Sequence, residues 1–421
     1  MNYKKYAIGP YNIHIIKTNK FKTIEIKVSF KRLFKKEDIT KRNLLSDVLV
    51  STNNDYQTER LYNIQRQQLY SQKIMSSNLL SGKYSLLTFS TIFLNDKYTE
   101  KGYNDKSIKF FFDTIFNPNV KENKFNEKVF TEKYNSLKEL IETFEENTSS
   151  YSLVRLLEEM DKKNIYGVRT TGYIEDLEKI DNENLYKYYE SVLKKDIVDI
   201  YVIGDVDEND IIEKIKNNFE INTIKKEGIS HFIKHDKFRK TIKVKKEQKD
   251  VSQSKLLLGF KLDELSSFER QYVTYIYSYI LGGSTDSKLF KTVREKNSLC
   301  YYISAGVMRL ENIMIISLGI DKNNYKKAIS LIKKEVKNMQ EGNFLNDEIN
   351  NGKTTYKCGI KAIYDNQDNI VSTYMTNNYL GYDSIEEKIK NIDKFTKESI
   401  INFSKKIHLD TIYFLEGENN D

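Results

Sequence analysis

Tryptophan is absent from this chain, and 421 residues hold only 2 prolines, 2 cysteines and 4 histidines. Each scarcity removes a class of protein. Cys300 and Cys358 have no second pair to frame a disulfide scaffold or a thiolate metal site, so they read as reduced thiols. No apolar run is long enough to cross a bilayer, and the amino-terminal stretch lacks the apolar core and small-residue cleavage site of a signal peptide. A cytoplasmic location without a membrane partner is therefore expected. Among the histidines, His14 and His408 stand alone, and His231 and His235 lie four apart in a basic segment whose nearby acid is Asp236. None of them forms a metal-binding set.

What is present fits a globular α+β protein, with 39% hydrophobic and 30% charged residues. The length favours two domains, each large enough to bury a core. A formal charge of +8 raises nucleic acid as a partner. The lysines, however, are dispersed and mixed with acids, as in Lys333-Lys334-Glu335, rather than gathered in a stripe with stacking aromatics. No nucleic-acid partner is expected. The densest basic run, Lys234 to Lys249, reads as a solvated linker followed by the first strand of a second half.

Periodicity supplies the elements. Tyr11 to Ile16 and Thr23 to Phe30 read as strands, and the alternation of Ile24, Ile26, Val28 and Phe30 with polar residues predicts a sheet with one buried face. Lys41 to Ser51 is helical, with Thr40 as its candidate cap, and a second helix begins after Thr58. Tyr84 to Leu94 is a long strand and a candidate sheet edge for an added peptide strand. Helical patterns then run to about Leu193, and Asp196 to Gly204 is a strand. The plan recurs: Ser254 to Phe260 corresponds to the Thr23 strand, and Thr411 to Gly417 echoes Ile200 to Gly204. Two tandem homologous domains follow, each an antiparallel-rich sheet packed with helices, at 1–224 and 246–421, with a basic linker at 225–245.

One stretch is too particular for this plan alone, LGGSTDSKLFKTVREKNSLCYYISAG from Leu281 to Gly306. A turn at Gly282-Gly283 leads to a helix with Ser287 as its candidate cap, Arg294 falls in the last turn, and Tyr301 opens a strand. A guanidinium and a phenol brought to one point are donors suited to a carbonyl oxygen gaining negative charge. The stretch resembles the C-terminal-half signature of the insulinase or pitrilysin family of zinc metallopeptidases, which includes the mitochondrial processing peptidases. That resemblance covers nearly the whole chain and implies two similar halves facing each other like a clam shell. It also implies that Arg294 and Tyr301 bind substrate and steady the tetrahedral intermediate, with Gly282 and Gly283 beside them. Cys300 stands where the family commonly has glycine.

Active members hold zinc through His-x-x-Glu-His on the first long helix of the N-terminal half. Overlaying that motif puts Asn43 and Asp47 where the histidines belong and Ser46 where the glutamate belongs. Glu139 and Glu142 lie near the region of the family's third ligand. These side chains do not make a zinc site, so no cofactor is expected in this chain. The resemblance then implies the non-catalytic subunit of a heterodimeric bacterial peptidase. An active paralogue would carry zinc, a peptide would be the substrate, and Arg294 and Tyr301 would act in trans. Relatives of this kind imply processing of small exported peptides such as bacteriocins, or an association with elongation factor P modification. A catalytically inert peptide-binding or scaffolding protein of the same fold is the alternative.

Overall fold

The computed structural model describes residues 1–161, 165–219, 221 and 229–417. The start of the expected linker, 225–228, lies outside them. Packing divides the chain into two compact units that are not contiguous in sequence. The first comprises 1–143, 169–230 and 366–375, and the second 144–168, 231–365 and 376–421.

The first unit is built on strands β1 (Asn2–Ile8), β2 (Tyr11–Lys17), β3 (Thr23–Leu33), β4 (Lys73–Ser81) and β5 (Tyr84–Leu94), with a short hairpin of β6 (Val120–Lys121) and β7 (Lys124–Phe125), and β8 (Ile197–Gly204). Its six-stranded sheet runs β1-β2-β8-β3-β5-β4, antiparallel except for β2 beside β8. Helices α1 (Asp38–Leu49), α2 (Glu59–Gln68), α3 (Tyr103–Phe116), α4 (Glu127–Glu142), α6 (Ile174–Leu177), α7 (Asn182–Lys195) and α8 (Glu208–Asn218) complete it, while α5 (Thr148–Met160) belongs to the second unit. Ile24, Ile26, Val28 and Phe30 are fully buried in a core with Leu44, Leu45, Phe111 and Leu185. Apolar residues at strand spacing on one side and helix spacing on the other make this packing.

The second unit holds β9 (Lys243–Gln248), β10 (Ser254–Leu262), β11 (Cys300–Met308), β12 (Ile313–Ile320) and β13 (Ile407–Glu416) in the order β11-β12-β10-β13-β9. Helices α9 (Thr274–Leu281), α10 (Tyr325–Gln340), α11 (Asn346–Ala362), α13 (Ile385–Asn391) and α14 (Lys397–Ser404) follow, and α12 (Gln367–Leu380) begins in the first unit. Read outward from β3 and from β10, the two sheets have the same plan, β8, β5 and β4 matching β13, β12 and β11, and β2 matching β9. The correspondence of the Thr23 and Ser254 strands is thus the axis of a repeated topology.

Three expectations are corrected. The Tyr84–Leu94 strand is not an edge, because β4, whose polar run Ser76-Ser77-Asn78 hides its strand character, pairs along its full length. Thr40 lies inside α1 rather than before it, buried, with its hydroxyl accepting from the Tyr173 N–H at 3.2 Å. The centre of the first unit's sheet is buried on both faces, Glu25, Lys27 and Ser29 of β3 being enclosed like the isoleucines beside them. By contrast α2 begins after Thr58 as expected, and the Thr58 hydroxyl caps it, accepting from the Leu61 N–H at 3.2 Å.

Candidate functional site

The residues expected to grip a substrate lie in the second unit, around the edge strand β11. Helix α9 ends where the N–H groups of Gly282 and Gly283 both donate to the Ser278 carbonyl, at 2.9 and 2.8 Å. A Cβ on Gly282 would stand 2.8 Å from both the backbone nitrogen and the Cβ of Ala305, so only glycine lets this turn press against β11. Gly282 is accordingly buried, and Gly283 is exposed. The chain re-enters helix at 288, wound with i to i+5 bonds over Phe290–Glu295. Ser287 sits at its start, but the buried hydroxyl caps nothing, and its carbonyl accepts from the Lys291 N–H.

Leu289 and Val293 anchor this helix in the core and leave Arg294 outside. The Arg294 guanidinium lies over the Phe290 ring, 4.6 Å from its centre. Tyr301, at the start of β11, is 80% exposed. The structure therefore brings both to the same end of β11, although no hydrogen bond joins their side chains. Between them in sequence, the Cys300 thiol is pushed up to about 11 by burial, against a lowering influence from Arg294. A thiol so raised is not a nucleophile at neutral pH.

The positions of the absent zinc motif lie on α1. Asn43 is occupied at both ends of its amide, donating to the Thr170 carbonyl at 2.7 Å and accepting from the Asn78 amide at 2.8 Å. Asn78 in turn accepts from the Ser85 hydroxyl at 3.0 Å, which ties helix α1 to the β4–β5 hairpin. Ser46 is buried and donates to the Asn43 carbonyl at 2.8 Å. Asp47 is open to solvent at its rim, yet surrounding protein raises its carboxyl pKa, with the Lys133 cation and the Ser46 hydroxyl working against that. Lys133 also pairs with Glu59 at 2.7 Å. Glu139 and Glu142 are exposed on α4, and Glu142 faces Lys138 at 3.9 Å.

These residues do not fit a zinc ion. The amide is spent on structure, the hydroxyl is turned back on its own helix, and the nearby cation is a lysine. Among the described residues, no group of three or more His, Cys, Asp or Glu could hold a metal ion. His14 contacts Asp199 at 3.2 Å, His408 contacts Asp263 at 3.2 Å, and His235 is held by the Glu311 carbonyl at 2.8 Å. His231 stacks on Tyr379. His231 and His235 lie in irregular chain, so their spacing places them on no helical face. Sequence reasoning missed Asn78 and Lys133, neither of which carries a local signature. No helix among the described residues is long and apolar enough to cross a membrane.

Comparison with known proteins agrees with the fold. Residues 179–356 match the family described as peptidase M16 inactive domain. Over that stretch and along its whole length the chain is similar to the M16, or insulinase, peptidase family, and to a probable inactive metalloprotease homologue within it. It is 28% identical over 430 residues to the "Probable inactive metalloprotease YmfF" of Bacillus subtilis (strain 168), covering 99% of this chain and 98% of that protein. A crystal structure of a conserved protein from Enterococcus faecalis V583 superposes with a TM-score of 0.93 at 26% identity, covering 100% of both chains. The peptidase M16 inactive domain from Pseudomonas fluorescens shares the fold at a TM-score of 0.80 and 13% identity, with 99% of each chain covered.

Proposed function

We propose that this chain is the zinc-lacking subunit of a paired M16 peptidase. A partner carrying His-x-x-Glu-His supplies the metal and the base, and Arg294 and Tyr301 of this chain hold the peptide and its developing oxyanion. The observation that carries the reading is the exposure of Tyr301 beside an exposed Arg294 at one end of an edge strand. A tyrosine so exposed contributes little to folding, and a phenol and a guanidinium are the donors an oxyanion needs. The proposed substrates are small exported peptides, with elongation factor P modification as the other setting.

The test is reconstitution with a zinc-bearing M16 relative that carries His-x-x-Glu-His. Arg294→Ala and Tyr301→Phe are each expected to lower kcat/KM by about 100- to 1,000-fold while leaving the melting temperature unchanged. Unchanged turnover in both variants would remove the reading. It would favour instead an inert peptide-binding protein, for which the specific support is the edge strand β4, with Met75 and Leu79 exposed at 43% and 58%.

A further inference from the structure

On the sheet face of the second unit opposite its main core, α5 covers β10 and β13, and a groove of about 560 Å³ remains beside it. Its floor runs across three strands in register. The row of Ser304, Ser317 and Leu257 lies at its middle, and the row of Gly306 and Ile315 lies beyond, with Met308 past it. Leu153, Ser149 and Ser150 of α5 form the wall. The lining is mainly apolar, and the one charged side chain on it is Lys255, at the other end of the floor.

Lys255 is half-buried, its ammonium 3.1 Å from the Gln253 side-chain oxygen and 5.2 Å from the centre of the Tyr302 ring. No carboxylate among the described residues pairs with it. Burial lowers its pKa. A cation in that position gains most from an anion brought in by a ligand. From the Lys255 row to the Gly306 row is about 13 Å, and the floor is about 10 Å wide, from the spacing of residues and strands. That is a slot for a short extended peptide, and wider than a single alkyl chain fills. Among the described residues the outer side of β11 carries no partner strand, so backbone donors and acceptors run alongside it.

We propose that this groove is a subsite for the C-terminal end of an apolar peptide, its terminal carboxylate on Lys255 and its side chains over Leu257, Ile315 and Met308. The proposal rests on the peptide-binding reading above but uses different residues. Tyr302 faces the groove, and Tyr301 is not on its lining.

The experiment measures anisotropy of a dye-labelled pentapeptide of alternating alanine and leucine, with a free carboxylate or a C-terminal amide, on the full-length chain. The free acid is expected to bind about ten- to a hundredfold more tightly than the amide. Lys255→Met is expected to erase that preference, and Ser304→Trp, at an exposed floor position, to abolish binding of both. Binding is read on this chain without a zinc-bearing partner and without turnover, so its outcome is separate from the effect of Arg294→Ala or Tyr301→Phe on kcat/KM. Equal binding of acid and amide, a preference that survives Lys255→Met, or Lys255-dependent binding of dodecanoate without binding of the peptide would each overturn the proposal.

Discussion

The two sheets share one topology but treat their second faces in opposite ways. In the first unit that face is a buried polar layer. Asn12 and His14 contact Asp199 at 2.8 and 3.2 Å, His14 stacks on Tyr201 at 4.2 Å, and Lys27 reaches Asp368 at 2.6 Å. Gln367, at the start of α12, donates to the carbonyls of Thr23 and Ile203. In the second unit the same face is apolar, with Leu156, Leu157 and Met160 of α5 packed on Leu257, Tyr413 and Leu415. Charge on that face lies towards the strand ends, where buried Asp410 faces buried Lys261 at 3.6 Å, and at Glu247. Burial works to raise the Glu247 carboxyl, but bonds from Arg155, Tyr413 and Tyr151 bring it down to about 2. A repeated backbone therefore does not dictate the chemistry of its cover. The charged solution makes stability depend on partners and pH, whereas the apolar one makes it depend on fit.

The largest effect in the first unit is expected from Asp196→Ala, in a charged cluster on the helix-packed core face. Asp196 is fully buried and accepts from Arg32 at 2.5 Å and from the fully buried Arg42 at 2.8 Å. Removing it leaves the Arg42 guanidinium buried without a carboxylate, while Arg32 keeps Asp38 at 3.3 Å, at a cost of about 3–5 kcal/mol, read from the urea midpoint. Next comes Glu25, which is fully buried on β3 with neither carboxylate oxygen hydrogen-bonded. Burial pushes its carboxyl up to about 7, against the influence of Lys27 at 3.7 Å. Between the unfolded carboxyl pKa and about 7, the folded chain keeps a proton that the unfolded chain has lost. Stability therefore falls as pH rises through that window. Glu25→Gln is expected to stabilise the chain by about 2–3 kcal/mol at pH 8 and to change nothing near pH 4, as thermal melts at the two pH values will show.

The smallest effect probes the apolar cover. A methyl at Gly259 would come 2.4 Å from the Met160 sulfur and 3.2 Å from Leu156. Because a methionine side chain bends away readily, Gly259→Ala is expected to cost only about 1 kcal/mol in chemical denaturation, with no pH dependence. A pH-dependent loss at Gly259, or a pH-independent gain at Glu25, would erase the distinction between the two faces.

Much of this was legible in the residues. The alternation in Thr23 to Phe30 and its echo in Ser254 to Phe260 are the central strands of both sheets, because burying one face imposes period two. The same alternation misled about the polar positions. A lysine or glutamate between isoleucines reads as solvent-facing, and its enclosure depends on a helix more than 300 residues further along, as the Lys27 to Asp368 contact shows. Strand β4 escaped because serines and an asparagine dominate its middle, and its pairing with β5, not its own propensity, makes it a strand. At the candidate site, motif order alone singles out Arg294 and Tyr301. The bonds from Asn43 to Thr170 and Asn78 arise only once α1, the loop at 170 and β4 are folded together.

The passage of 144–168 into the second unit and of 366–375 into the first governs how this protein can be dissected. A gene truncated after codon 224 would carry α5 away with the wrong fragment and expose Leu257, Tyr413 and Leu415 to water. Expressing the two halves separately would thus yield insoluble pieces, and a tether or co-expression would be required before either could be assayed.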